Sequence, residues 1–413
     1  MKEEILAFLN DPEQLEKMYR SNKVLFKREF SSIYPEITGN PVADTWNERL
    51  NYDSDAISWG TGKDLFIIIA AALLAGLIAK IPTIFSLDEE FFYPRNLGFV
   101  LFPILAAYFS WKNNLSKRKI ALIAGAMLVG LVFINSLPLP ETNTLILSCI
   151  HLILFLWAIT GFAFVGGTGE SKKRRLDYLK YNGDLVVMTT LIIIAGGIMS
   201  AVTIGLFELI GFKIEEFYFQ YFGIFGVAAA PIFATYLTQT NPQLVGKVSP
   251  VIAKIFSPLV LVMLLVFLGA MTVSGKDPYN DRDFLIIFNG LLVGVMAIIF
   301  FSVAETSTGN KSRTETLILL LLSIVTIVVN SIALSAILFR ISEWGITPNR
   351  AAVLGANILI LVNLITVTAH LYKVLLKKGD IADVGNAIAR YLPIYVIWTV
   401  IVTFIFPFIF WFK

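Results

Sequence analysis

The sequence predicts an all-α fold: a polytopic transmembrane helical bundle of about eleven spans with a small amino-terminal helical cytoplasmic region. Composition is the first reason, because 56% of the 413 residues are hydrophobic and only 15% are charged, whereas a soluble domain carries about 25% charged residues. The second reason is that apolar stretches of roughly 20 residues, enough for a helix to cross a bilayer, recur along the chain. They lack the alternating pattern of outer-membrane strands, so we expect helices, which pair their own backbone groups in lipid.

The transmembrane domain is assigned to residues 63–413, where eleven apolar stretches are long enough to be spans. The second stretch is short, and the eleventh contains proline. The expected spans lie near residues 64–85, 95–111, 120–137, 144–167, 184–211, 219–238, 251–274, 284–303, 314–341, 348–376 and 391–412.

The distribution of lysine and arginine predicts the orientation, because basic residues are retained on the cytoplasmic side of a membrane. With the amino terminus inside, the inner segments hold 25 of the 33 basic residues. The bias therefore predicts an amino terminus in the cytoplasm and, for eleven spans, a carboxyl terminus outside. An even number of spans would place the carboxyl terminus inside, so its location tests the span count.

Residues 1–62 form a separate region that is polar and mixed in charge. Asp11, Pro12 and Glu13 are typical of a helix start, because they supply a cap, a suitable first residue and a favourable charge. Apolar residues at helical spacing predict two or three short amphipathic helices. These helices could pack together as a cap, lie on the inner leaflet or bind a protein partner. Since there is no basic excess, a packed cap is favoured over a lipid-binding helix.

Several classes of site are disfavoured by the residues present. The stretches "WGTGKD" at 59–64 and "GGTGESKKRR" at 166–175 contain glycines, but neither has the glycine, lysine and hydroxyl spacing of a phosphate-binding loop. One cysteine, Cys149, and two histidines leave no disulfide framework and no zinc or haem ligand set. We therefore expect no metal and no cofactor, and nothing in the sequence predicts a nucleic-acid partner.

Two neighbouring spans each carry a stripe of polar residues at i, i+3 and i+7, which places each stripe on one helix face. One interpretation is hydrogen bonding between the helices, in which small and amide side chains hold the bundle together. The other is a polar pathway that opens toward the cytoplasm and includes a titratable histidine. The pathway candidates are Ser323, Thr326 and Asn330 on the ninth span and Asn363, Thr366 and His370 on the tenth.

The connection between those two spans reads "RISEWGITPNR" at 340–350, on the predicted outer side, where basic residues are the exception. A rigid helical corner explains much of it, because Gly345 permits a turn and Thr347 can cap the next helix. Alternatively, the arginines hold an anionic group, such as a lipid phosphate or carboxylate. Together with "DPYNDRD" upstream, the candidates for an outer charged cluster are Asp281, Arg282, Arg340, Glu343 and Arg350.

"DPYNDRDFLIIFNGLLVGV" at 277–295, followed by "RISEWGITPNR", resembles a widespread uncharacterised family of bacterial multi-pass inner-membrane proteins known only as a domain of unknown function. The resemblance covers about residues 60–410 and implies a bacterial inner-membrane location and the same fold. It implies no activity. The matching positions are Tyr279, Asp281, Arg282, Asn289, Arg340, Glu343, Gly345, Thr347 and Arg350.

Three functions fit these observations. The favoured one is a transporter or permease for a small or amphiphilic solute, because proteins with many spans often transport. The second is a membrane-embedded enzyme or lipid-binding protein acting at the outer face, although no nucleophile and base are suitably spaced to assign a catalytic residue. The third is a non-catalytic scaffold that binds a partner through residues 1–62. The expected partners are accordingly the lipid bilayer, an anionic lipid or solute, and a protein at the amino-terminal region.

Overall fold

The computed structural model describes residues 2–21, 23–51, 62–138, 142–166, 171–209, 212–246, 248–273, 279, 282–306 and 313–412. Regular structure in this part of the chain is helical, with no strand, so the predicted all-α class is confirmed. The chain divides into two compact units, Met1–Trp59 and Gly60–Lys413. Each unit is described by itself.

The amino-terminal unit contains the helices α1 (Lys2–Ala7), α2 (Pro12–Ser21), α3 (Lys23–Ile37) and α4 (Pro41–Asn51). The carboxylate of Asp11 accepts hydrogen bonds from the backbone N–H groups of the second and third residues of α2, at 3.1 and 3.2 Å, so the predicted helix start is confirmed. The apolar faces of the four helices pack against one another. Their shared core consists of Ile5, Leu15, Phe26, Phe30, Ile33, Ala43, Trp46 and Leu50.

The second unit is a bundle of longer helices. Short π-helical segments precede α12 at Phe219–Gly223 and follow α18 at Ile401–Ile405. The helices are α5 (Gly62–Ala79), α6 (Ile81–Phe85), α7 (Glu89–Lys112), α8 (Lys117–Ser136), α9 (Asn143–Val165), α10 (Ser171–Leu209), α11 (Glu215–Tyr218), α12 (Ile224–Thr240), α13 (Gln243–Gly246), α14 (Val248–Val273), α15 (Arg282–Thr306), α16 (Arg313–Trp344), α17 (Pro348–Leu375), α18 (Ile381–Val400) and α19 (Phe406–Ile409).

Within the described residues, nine helical segments are long and apolar enough to cross a membrane, which is compatible with a multi-pass membrane protein. The two other predicted spans also fall on helices: α5, whose apolar part Asp64–Ala79 is shorter, and α7. The count of eleven and the orientation stay predictions. The nine segments are Lys117–Ser136, Asn143–Val165, Ser171–Gly205, Glu215–Thr240, Ala253–Met271, Phe288–Glu305, Arg313–Trp344, Pro348–Leu375 and Ile381–Ile409.

Several long helices contain a proline or a π-helical turn, and both features leave backbone carbonyls without their usual helical partners. The carbonyl of Thr403, inside the π-helical segment after α18, accepts a hydrogen bond of 2.9 Å from Ser148 of α9. Irregular backbone is tolerated at membrane depth where protein groups satisfy it in this way. Prolines inside helices are Pro94 and Pro103 of α7, Pro231 of α12, Pro258 of α14 and Pro393 of α18.

Two apolar cores hold most of the bundle together. One forms between α14, α15, α16, α17 and α18, with fully buried residues such as Leu292, Leu322 and Leu364. The other forms between α7, α8, α9 and α10, where Phe109, Ile134 and Leu156 are buried. The candidate sites lie on helices of these two cores.

Candidate functional site

The predicted polar stripe on α16 is buried against α17. Ser323, Thr326 and Asn330 are each at most 1% exposed. The hydroxyl of Thr368 on α17 donates to the hydroxyl of Ser323 at 2.9 Å, and the amide of Asn330 donates to the backbone carbonyl of Asn357 at 3.1 Å. The stripe therefore contacts α17 through two positions that the sequence pattern did not single out.

The predicted stripe on α17 forms its hydrogen bonds with α18 and within its own helix. Asn363 donates to the hydroxyl of Tyr395 on α18 at 3.0 Å, and that hydroxyl contacts the sulfur of Met296 on α15 at 3.3 Å. His370 bonds through Nδ1 to the carbonyl of Thr366 in its own helix, at 2.8 Å. No hydrogen bond among the described residues joins the two predicted stripes, so they do not form one continuous polar face.

Three asparagines on α16 and α17 keep a buried amide atom without a hydrogen-bond partner. These atoms are Oδ1 of Asn330, Nδ2 of Asn357 and Oδ1 of Asn363, and each residue is at most 1% exposed. A buried polar group without a partner costs about 1–3 kcal/mol. Asn357 and Asn363 are six residues apart, about 9 Å along the helix axis. We call the contacts of α17 with α16 and with α18 together the α16–α18 seam; Asn330 lies at the first contact and Asn363 at the second. The unsatisfied atoms of the seam are two acceptors and one donor.

The two arginines of the predicted outer corner bind protein groups. Nε of Arg340 donates to the carbonyl of Tyr279 at 2.8 Å. Nη1 of Arg350 donates to the carbonyls of Trp344 and Gly345, at 2.9 and 2.7 Å. Both guanidinium groups also lie over the Trp344 ring, 5.7 and 5.6 Å from its centroid. The arginines hold the end of α16, where Gly345 turns with φ of +75°.

The other members of the predicted outer cluster are placed only in part. Thr347 accepts a hydrogen bond of 3.3 Å from the backbone N–H of Arg350 and caps α17, so this part of the predicted corner is confirmed. Glu343 is exposed, and within the described chain it forms no ion pair with either arginine. Asp281 and the side chain of Arg282 lie outside the described residues. The cluster as one charged group stays a prediction.

An ion pair links α10 to α15. Nζ of Lys180 lies 3.3 Å from a carboxylate oxygen of Glu305, and the Glu305 side chain is only 3% exposed. The sequence analysis did not predict this pair, because the sequence does not say which helices are neighbours. A buried pair of this kind favours one arrangement of the two helices more than it adds net stability.

A cavity of about 490 Å³ lies at the amino-terminal ends of α7 and α9. Arg95 lines this cavity and is 3% exposed. Its Nε and Nη2 atoms have no hydrogen-bond partner, and its guanidinium lies 4.3 Å from the centroid of the Phe91 ring. The predicted orientation leaves eight basic residues on the outer side, and Arg95 is one of them, but the sequence analysis did not single it out as a site. The signal was there: an arginine and an asparagine interrupt the stretch "FFYPRNLGFVLF" at 91–102.

Among the residues that the structure describes, no group of three or more His, Cys, Asp or Glu side chains is placed to hold a metal ion. Compared with family models, with curated proteins and with solved structures, the chain has no match. The resemblance to bacterial inner-membrane proteins therefore stays a prediction.

Proposed function

We propose that this chain is an integral membrane protein of the bacterial inner membrane that works as a transporter or permease for a small or amphiphilic solute. Nine apolar segments in the described chain support a multi-pass arrangement. The observation that carries the transport proposal is the set of unsatisfied amide atoms on Asn330, Asn357 and Asn363.

Packing alone does not explain these asparagines. Amide side chains that serve only as contacts between membrane helices gain stability by satisfying each other's donors and acceptors. Here Asn330 and Asn363 each donate one hydrogen bond while their buried carbonyl oxygens have no partner. Polar groups of a passing solute, or water moving with it, would satisfy both oxygens. Polar residues inside membrane helices commonly mark such pathways.

The chemistry of the seam favours passage over catalysis. Amide groups bind polar ligands through hydrogen bonds, but they do not act as acids, bases or nucleophiles in the usual catalytic arrangements. Farther along α18 from Tyr395, the helix continues into the π-helical segment Ile401–Ile405. Irregular turns of this type occur frequently at functional sites. Unsatisfied polar groups within an apolar bundle support the passage of a polar solute.

Flux through reconstituted protein tests the proposal. Proteoliposomes would be screened with radiolabelled organic acids, amines, amino acids, sugars and short-chain amphiphiles, and the solute with the largest protein-dependent flux would be kept. Asn330→Leu and Asn363→Leu are each expected to lower that flux by at least about tenfold, which corresponds to about 1.4 kcal/mol.

Thr366→Val is the matched control. Thr366 belongs to the same predicted stripe, but its hydroxyl bonds to the carbonyl of Val362 in its own helix, so the change is expected to alter flux by less than about twofold. Equal flux in all three variants, or no protein-dependent flux of any solute, would contradict transport through this seam.

A further inference from the structure

The cavity at the amino-terminal ends of α7 and α9 is independent of the α16–α18 seam and has a polar and an apolar part. Asp88 and Glu90 line it and are exposed. Its wall on α9 is hydrocarbon, formed by Leu145, Ile146 and Ile150, of which the two isoleucines are about half exposed. Its volume of about 490 Å³ falls in the range of cavities that bind small molecules. The combination of a charged part and an apolar part matches an amphiphile, which has a charged head and an apolar tail.

Arg95 is the buried charge in this cavity. At 3% exposure it has lost most of its water, and its Nε and Nη2 atoms have no hydrogen-bond partner. No carboxylate in the described chain forms an ion pair with it. Removing a charge from water without pairing it is costly, and the aromatic contact with Phe91 offsets only about 0.5–2 kcal/mol of that cost. An anionic group of a ligand would supply the missing partner, since guanidinium binds phosphate and carboxylate through paired hydrogen bonds.

The acidic residues at the mouth of the cavity restrict the charge that the ligand can carry. Asp88 accepts a hydrogen bond from the backbone N–H of Glu90 at 3.0 Å and caps α7. The cavity therefore has two exposed carboxylates as well as one buried guanidinium, which disfavours a ligand that is purely anionic. Glu90 and Arg95 are five residues apart, about 7.5 Å along the helix axis. Both charges line the same cavity, which matches a head group with an anionic and a cationic end.

We propose that this cavity binds a zwitterionic amphiphile with a phosphoethanolamine type of head group. Its phosphate binds the guanidinium of Arg95, its ammonium faces the carboxylates of Glu90 and Asp88, and its hydrocarbon chain lies along Ile146 and Ile150. The inference rests on the cavity alone, so it stands or falls separately from transport through the α16–α18 seam.

Native mass spectrometry of the full chain, released from an uncharged detergent, tests this site with three probes. Lysophosphatidylethanolamine carries both charges and a chain, lysophosphatidylglycerol of the same chain length lacks the ammonium, and free phosphoethanolamine lacks the chain. The first probe is expected to bind at least tenfold more tightly than either of the others. Equal binding of lysophosphatidylglycerol would overturn the zwitterionic head, and equal binding of free phosphoethanolamine would overturn the role of the apolar wall.

Variants at the two charged ends locate the ligand. Arg95→Met is expected to lower the affinity for lysophosphatidylethanolamine at least tenfold. Lys112→Met, which removes a cation from the other end of α7 where it contacts Gln239, is the control and should change that affinity less than twofold. Glu90→Gln should weaken the binding of lysophosphatidylethanolamine and strengthen the binding of lysophosphatidylglycerol, because it removes a negative charge from the mouth of the cavity.

A thermal melt of the same variants separates binding from folding. If Arg95 serves a ligand, Arg95→Met should melt no lower than the unchanged protein while losing affinity. Unchanged affinity in Arg95→Met would overturn the proposal. A loss of affinity that appears equally in Lys112→Met, or only together with a lower melting temperature, would overturn it as well.

Discussion

The corner after α16 and the start of α7 both place arginines on the predicted outer side, yet the two regions use them differently. At the corner, Arg340 and Arg350 donate to backbone carbonyls and lie over Trp344. At α7, Arg95 is buried more deeply, and its Nε atom has no hydrogen-bond partner. Residue type and predicted side of the membrane are the same, but Nε of Arg340 donates to the protein backbone whereas Nε of Arg95 is available to a ligand.

The asparagines of the bundle show the same contrast. Asn96 and Asn135 exchange two hydrogen bonds, of 3.0 and 2.9 Å, and join α7 to α8. Asn330, Asn357 and Asn363 instead keep buried amide atoms without partners. A satisfied amide pair stabilises the contact between its helices, whereas an unsatisfied one is costly unless something else binds there.

The largest expected difference in stability lies between a substitution at Arg340 and one at Arg95. Arg340→Met removes a charged donor from the carbonyl of Tyr279 and is expected to lower the free energy of unfolding by about 1.5–3 kcal/mol. Arg95→Met removes a buried charge without an ion-pair partner and is expected to leave stability unchanged or to raise it. Denaturation of the purified protein in one detergent measures both. Equal destabilisation by the two changes would contradict the different roles assigned to Arg340 and Arg95.

A smaller difference is expected between the asparagines. Asn135→Leu deletes both bonds of the amide pair and should destabilise the protein by about 0.6–2 kcal/mol. Asn357→Leu removes a side chain whose buried Nδ2 has no partner and should cost less than Asn135→Leu. The same denaturation experiment compares them, and a larger cost for Asn357→Leu would assign it a structural role.

The smallest effect is expected in the amino-terminal unit, where the paired carboxylate of Glu16 is partly exposed, with 23% of its side chain accessible. The hydrogen bond from Arg20 to Glu16, 2.7 Å long, together with Arg49, lowers the pKa of the Glu16 carboxyl. A lowered pKa favours the charged carboxylate in the folded state, so its contribution is present at neutral pH and is lost as the pH falls through that pKa. We expect peptides from residues 2–51 to exchange amide hydrogens faster in acid, after correction for intrinsic rates.

Glu16→Gln should reproduce that loss of protection at pH 7 and reduce the acid dependence. Glu13→Gln is the control, because Glu13 pairs with Lys17 on the surface, where its side chain is 78% exposed. Such surface pairs contribute little. Equal effects of the two changes would mean that the contacts of Glu16 add nothing specific.

Features that depend only on residues close together in the sequence were predictable. The cap at Asp11, the turn at Gly345 and the cap at Thr347 follow from local chemistry, and every predicted span overlaps at least one helix. Hydropathy is also local, since each apolar stretch must be long enough to span lipid by itself.

Contacts between helices were not predictable in the same way. The pattern at Asn363, Thr366 and His370 gave one face of α17, but nothing in the sequence said that α18 would contact Asn363 through Tyr395. The burial of Arg95 likewise depends on the packing of α9 against α7. The contact of Asn363 and the burial of Arg95 both depend on how each helix is rotated about its axis and on which helix lies beside it. A single sequence specifies neither in a way that can be read directly.

An experimental density map of the purified protein in lipid nanodiscs tests most directly whether the unsatisfied atoms of Arg95 and of the three asparagines mark ligand sites. We predict non-protein density against the guanidinium of Arg95 and beside the free amide atoms of Asn330, Asn357 and Asn363, with only protein contacts at Nε of Arg340 and Nη1 of Arg350. Side chains that close over Arg95 and the asparagines and satisfy them from within the protein would contradict the account.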